Sequence, residues 1–163
     1  MSISIDHLTG DGSISVISRI DPAIKYSDES YSEYLKSLDE NDLEFKEDEE
    51  PTRFILRKTI PYKLTQKIKA NQVRMDKKEV YWNMQITAEE VRYSLMDIEN
   101  PSDMKGKTGL KYEGTKIDDG KGGSMQIASE TTMGLLSQLG IIDDLYAARR
   151  NYLEVGLQSL KKS

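Results

Sequence analysis

Cysteine is absent from the 163 residues, so the chain can form no disulfide and offers no thiolate for catalysis or metal binding. Histidine occurs once, at His7, which excludes a zinc site built from clustered histidines of a single chain. Apolar residues make up 37% and charged residues 31%, which leaves little apolar side chain for a large core. No run reaches the roughly 20 consecutive apolar residues of a membrane span. Residues 1–12 have neither a basic n-region nor an apolar h-region, so they do not read as a secretory signal. The expected location is the cytoplasm, or a particle assembled in one. A net charge of -5 argues against nucleic acid as the main partner. The length suits one ordinary domain, which buries roughly 70% of its unfolded surface without staples.

What the chain has instead is segregated charge. Residues 28–50 hold eleven acids and two bases, a net of -9. Residues 53–78 hold nine bases and one acid, Asp76, a net of +8. One reading is an acidic linker and a basic helix face, both solvated. The other is complementarity, with the acidic arm lying on the basic surface of its own chain or of a neighbouring copy.

Local patterns outline the elements. Ser2-Ile3-Ser4-Ile5 and Ser13-Ile14-Ser15-Val16-Ile17 alternate with period two, and Thr9-Gly10-Asp11-Gly12 supplies turn chemistry for a small hairpin. Ser27 caps a short helix with Tyr31, Tyr34, Leu35 and Leu38 on one face. Residues 39–50, with few apolar anchors beyond Leu43 and Phe45, read as a loop or extended arm. After Pro51, Phe54 and Leu56 mark one side of a strand over residues 53–58. Pro61 suits the first turn of a helix over 61–74, where Ile60, Leu64 and Ile68 recur at spacing four. Thr87 and Glu90 form a capping box for a helix over 87–99, with Ala88, Val91, Leu95 and Ile98 as its stripe and Pro101 as its end.

A Gly-rich hairpin is expected at 105–127, with Leu110-Lys111-Tyr112-Glu113 paired to Ser124-Met125-Gln126-Ile127 around Asp118-Asp119-Gly120. Ser129 caps a helix over 129–139 carrying Met133, Leu135, Leu136 and Leu139, and Gly140 closes it. The last helix runs over 142–160. Leu145, Ala148, Tyr152 and Val155 share a face, Asp143 and Asp144 suit its N-terminal end, and Lys161 and Lys162 its C-terminal end.

Few residues point to catalysis. His7 has Asp6 beside it but no partner the sequence can name. Asp118-Asp119-Gly120-Lys121-Gly122-Gly123 matches neither the phosphate-loop nor the EF-hand spacing, and reads as a hairpin tip. Asp97 with Glu99, or Asp143 with Asp144, would work as acid–base pairs only in a pocket that drives their pKa values apart. The basic block has few aromatics, namely Phe54, Tyr62, Tyr81 and Trp82, and an acidic neighbour to compete with nucleic acid. Nine tyrosines and a tryptophan in a modest core fit contact surfaces.

Three segments together carry a resemblance. The first is Glu50-Pro51-Thr52-Arg53-Phe54-Ile55-Leu56-Arg57-Lys58, which leads into the basic helix. The second runs from Ile86-Thr87-Ala88-Glu89-Glu90 through Ile98-Glu99. The third combines Leu135-Leu136-Ser137-Gln138-Leu139-Gly140 with Leu145-Tyr146-Ala147-Ala148-Arg149-Arg150-Asn151-Tyr152. Their rhythm resembles small accessory proteins encoded among tailed-bacteriophage structural genes, which include minor virion proteins of the neck and tail and tail assembly chaperones. The resemblance covers about half of the chain and brings no active-site residues with it.

The expectations are then definite. The fold is α+β, with a mainly helical core at 51–163, short strands and hairpins, and an N-terminal hairpin with an extended acidic arm at 1–50. The resemblance implies a non-enzymatic structural component of a phage virion, without cofactor or metal. Its partners would be further copies of itself and other virion proteins, with nucleic acid disfavoured and no membrane. The contact residues would be Glu47, Asp48, Glu49, Glu50, Arg53, Arg57, Lys58, Lys63, Lys67 and Trp82. The alternatives are a soluble tail assembly chaperone, and a small phosphate- or sugar-directed enzyme. The enzyme would need two or more of Asp97, Glu99, Asp118, Asp119 and His7 to converge in a deep pocket.

Overall fold

The structure, a computed structural model, describes residues 12–74, 79–99 and 110–162. The chain runs β1 (Ser13–Val16), β2 (Ile24–Lys25), α1 (Asp28–Ser37), a 3-10 turn (Glu40–Asp42), β3 (Glu44–Phe45) and β4 (Arg53–Arg57). It continues through α2 (Tyr62–Arg74), α3 (Glu79–Ser94), β5 (Leu95–Glu99), β6 (Gly114–Asp118), β7 (Ser124–Ala128), α4 (Glu130–Leu139) and α5 (Ile142–Lys162). Helices and small antiparallel sheets are interleaved, so the fold is α+β.

The centre is a three-stranded antiparallel sheet in the order β1-β4-β5. Its register lines up two apolar rows on one face. Ile14 faces Leu56, which faces Leu95, and Val16 faces Phe54, which faces Ile98. These six side chains are buried and share one core with Val91 of α3, Leu136 of α4, and Leu145 and Ala148 of α5. Because β1 belongs to this sheet, residues 13–16 share the core of 51–163 rather than that of a separate arm. The hairpin expected between residues 2–5 and 13–17 has its first half outside the described residues.

A second, smaller cluster joins Ile17, Ile24, Tyr31, Tyr34 and Leu43, and Leu35 and Leu38 pack against both clusters. Ser27 caps α1 as expected, accepting the amide of Ser30. The two tyrosines do more than fill space. The Tyr34 hydroxyl accepts the Ile17 amide at 2.9 Å, and the Tyr31 hydroxyl donates to the Ile17 carbonyl at 2.8 Å. They thus satisfy the backbone just past the end of β1, where no strand neighbour reaches. Burial pushes both phenols up, Tyr34 to about 12.

Three expectations are corrected. The stretch 39–45 is not an extended arm: the 3-10 turn and β3 fold it onto the body, β3 pairs with β2, and Leu43 is buried. The helix expected over 87–99 starts at Glu79 and stops at Ser94, so Thr87 lies inside it and Glu90 is no capping residue. Residues 95–99 are a strand. Ile55 faces Asp97 while Leu56 faces Leu95, which leaves Met96 as an extra, bulged residue. That bulge puts Leu95 and Ile98, three apart, on the same face, a spacing that in sequence mimics a helix. The Gly-rich hairpin has its tip where expected, but its first strand is Gly114–Asp118 rather than 110–113.

Other elements agree with expectation. The amides of Leu64 and Thr65 donate to the Pro61 carbonyl at the start of α2, and Ile60, Leu64 and Ile68 are buried. Ser129 caps α4 and accepts the Thr132 amide, and Gly140 ends the helix at φ 70°, a left-handed position that glycine occupies without strain. On α5 the stripe of Leu145 and Ala148 is buried, but Val155 is 38% exposed.

Candidate functional site

The expected contact residues divide into three groups. Glu47, Asp48, Glu49 and Glu50 are all exposed, in a turn and irregular segment, with Asp48 at φ 58°. Among the described residues this run makes no ion pair with α2. Its ion pair among the described residues is Glu50 with Arg53 at 3.7 Å. Arg53 is held chiefly by Glu40, whose two carboxylate oxygens accept from Nε at 3.0 Å and Nη2 at 2.8 Å. The hydrogen bonds to Glu40 raise the Arg53 pKa above its ordinary value. Among the described residues, complementarity between the two blocks is therefore met at one arginine, at the start of β4.

Arg57 and Lys58 are half-buried and tied to the body of the chain. The Arg57 guanidinium donates to the carbonyl of Tyr93 at the end of α3 and, at 2.8 Å, to that of Gln126 on β7. It thus joins sheet, helix and hairpin, and burial lowers its pKa. Lys58 carries its ammonium over the ring of Tyr152, 5.6 Å from the centroid. The third group is the outer face of α2, where Lys63 and Lys67 are exposed. The stem of Lys63 lies against Gly120 of the hairpin tip, where an added Cβ would come within 2.8 Å of it. Trp82 belongs to α3, but its side chain lies outside the described residues.

The densest charge cluster joins α3 to α5. The Glu90 carboxylate accepts from Nε of Arg150 at 3.0 Å and from its Nη2, and Nη1 of Arg149 lies 3.5 Å away. Arg149 is buried and also donates to the carbonyls of Arg57 at 3.1 Å and Lys58 at 3.0 Å, past the end of β4. Burial lowers the Arg149 pKa. With Glu90 beside it and two carbonyls in place, its charge is compensated. Arg150 is half-exposed and also stands over the ring of Tyr146 at 5.4 Å.

This cluster forms one wall of an open cleft of about 320 Å³. Lys58, Lys69, Arg149 and Arg150 line it against one carboxylate, Glu90. The hydroxyls of Thr59 and Thr65 and the side chains of Ile60, Ile68 and Leu153 complete it.

No family model matches the chain, and neither a curated protein nor a solved structure matches it.

Three carboxylates of the enzyme reading, Asp97, Asp118 and Asp119, are engaged locally. Asp97 accepts the amide of Ile98, Asp118 that of Gly120, and Asp119 those of Lys121 and Gly123, which lower its pKa. Among the described residues no group of three or more His, Asp or Glu could hold a metal ion, and His7 lies outside them. Asp144 does more than start a helix. It is buried and accepts the Ser18 hydroxyl at 3.0 Å and the Arg19 guanidinium, which fastens the end of β1 to the start of α5. Sequence reasoning missed the Glu90 cluster. The available signal was Arg149 itself, which sits at the core positions of α5, four residues beyond Leu145 and next to Ala148.

Proposed function

We propose that this chain is a non-enzymatic assembly protein that associates with further copies of itself through its two exposed charge runs. The supporting observation is that the acidic run 47–50 and the lysine face of α2 are both exposed and not engaged with one another. Each is solvated in the single chain, and each is complementary to the other in a second copy. The pairing can be made twice across a two-fold axis, which gives a dimer, or once per contact head-to-tail, which closes into a ring or extends as a filament. The place of such an assembly would be a tailed-phage particle, in the neck or tail. That part of the proposal is supported by the resemblance in residues 50–58, 86–99 and 135–152. A soluble tail assembly chaperone is the second reading, favoured by Val155 and Leu157 standing exposed late on α5.

Two variants test the proposal. Glu47→Lys with Glu49→Lys reverses the acidic run, and Lys63→Glu with Lys67→Glu reverses the helix face. Each alone is expected to be monomeric, and an equimolar mixture is expected to associate again. Variants that assemble like the parent, or a mixture that stays monomeric, would contradict the pairing of the two runs.

A further inference from the structure

The cleft between α2, α3 and α5 is lined by none of the residues of the assembly surfaces. Its lining carries four cations and one carboxylate, and that carboxylate is already spent on two arginines. Glu90 occupies the Nε–Nη2 edge of Arg150, the planar fork that suits a carboxylate. What the cleft presents beyond that edge comes from separate directions. Lys58 stands past the end of β4, Lys69 on the second turn of α2 and Arg150 on α5. The Thr65 hydroxyl adds a neutral donor, held only by long contacts of 3.4 and 3.5 Å to the carbonyls of Pro61 and Ile60. Ammonium groups spread around a site act as point charges and suit an anion with several oxygens and more than one negative charge. Ile68 on α2 and Leu153 on α5 add apolar lining beside these cations. The volume lies at the lower end of the range of small-molecule sites.

We propose that this cleft binds a small organic phosphate, with the phosphate between Lys69 and Arg150 and the organic body against Ile68 and Leu153. Lys69 and Arg150 are the groups that meet the phosphate from opposite walls. Lys63 and Lys67, on the outer face of α2, belong to the assembly surface and not to this site.

The test is an NMR titration of the full chain with inorganic phosphate and with phenyl phosphate, read at backbone amides. Saturable shifts are expected at residues 58–60, 65–69 and 149–153, with phenyl phosphate binding about tenfold tighter than phosphate, a difference within reach of one apolar contact. Lys69→Gln is expected to weaken phenyl phosphate about tenfold, and Arg150→Gln at least as much. Arg150 also holds Glu90, so Lys69→Gln, at an exposed position, decides the matter if Arg150→Gln is unstable. Shifts that do not saturate, or that follow Lys63 and Lys67 instead, would overturn the site. So would a peptide of residues 44–52 that displaces phenyl phosphate from it, because the cleft would then belong to the assembly contact.

Discussion

Glu90 and the acidic run at residues 47–50 use the same functional group to opposite ends. Glu90 is nearly closed to water, and two arginines of α5 hold it. Residues 47–50 are exposed, and their pairing with Arg53 is loose. Burial separates them, not acidity. A carboxylate taken out of water must be paired, so its partners become part of the fold. An exposed carboxylate is solvated and screened, adds little to stability, and remains available to another molecule.

Removing Glu90 breaks that comparison most severely. Glu90→Ala leaves Arg149 buried with its charge uncompensated, and urea unfolding is expected to show a loss of about 3–5 kcal/mol. A loss below about 1 kcal/mol would mean that the two carbonyls alone hold Arg149. Leu95→Ala, at the β5 end of an apolar row, is expected to cost about 2–4 kcal/mol. Deleting Met96 sharpens the reading of β5. The ladder does not use this residue, so its removal keeps Leu95 and Ile98 on one face and should cost less than Leu95→Ala. On a helix the same deletion would turn Ile98 by about 100°, away from the core.

Tyr34 supplies a smaller, pH-dependent effect. Its folded pKa is about 12, raised by burial from the ordinary 10.0. The neutral phenol is the form the fold favours, so its contribution is complete below the unfolded value and is lost as pH rises from about 10 to about 12. The loss is on the order of 2 kcal/mol, with Tyr31 acting in the same direction. Tyr34→Phe should flatten part of this decline. A urea midpoint that stays constant across the window contradicts the burial of the phenols. The smallest effect is expected at the other pole of the comparison. Glu47→Lys with Glu49→Lys should change stability by no more than about 0.5 kcal/mol.

How much of this was legible follows from what each signal depends on. Ser27, Ser129 and Gly140 act on their own few residues, so local rules place α1 and α4. The spacing of Ile60, Leu64 and Ile68 likewise needs only one helix. β5 was hidden because a bulge is set by the neighbouring strand, and its two inward residues carry helical spacing. Glu90 was misassigned for a similar reason: a Thr-x-x-Glu pattern reads as a cap, yet its partners are some sixty residues away on α5. Residues 39–45 read as an arm on composition, but Leu43 together with Tyr31 and Tyr34 suffices to fold them back. The sequence put Glu47, Asp48, Glu49, Glu50, Lys63 and Lys67 in charged runs, and these residues are exposed. It could not tell that Arg57 turns inward, because the carbonyls that draw it in belong to α3 and β7.

The central claim is that exposed, oppositely charged runs join copies of this chain. Light scattering on a sizing column, at low and at high salt, tests it most directly. A multiple of the 18.6 kDa chain is expected at low salt, falling toward one chain at high salt, because salt screens exposed charges over about 10 Å at 0.1 M. The same mass at both salt concentrations, whether one chain or many, would contradict it.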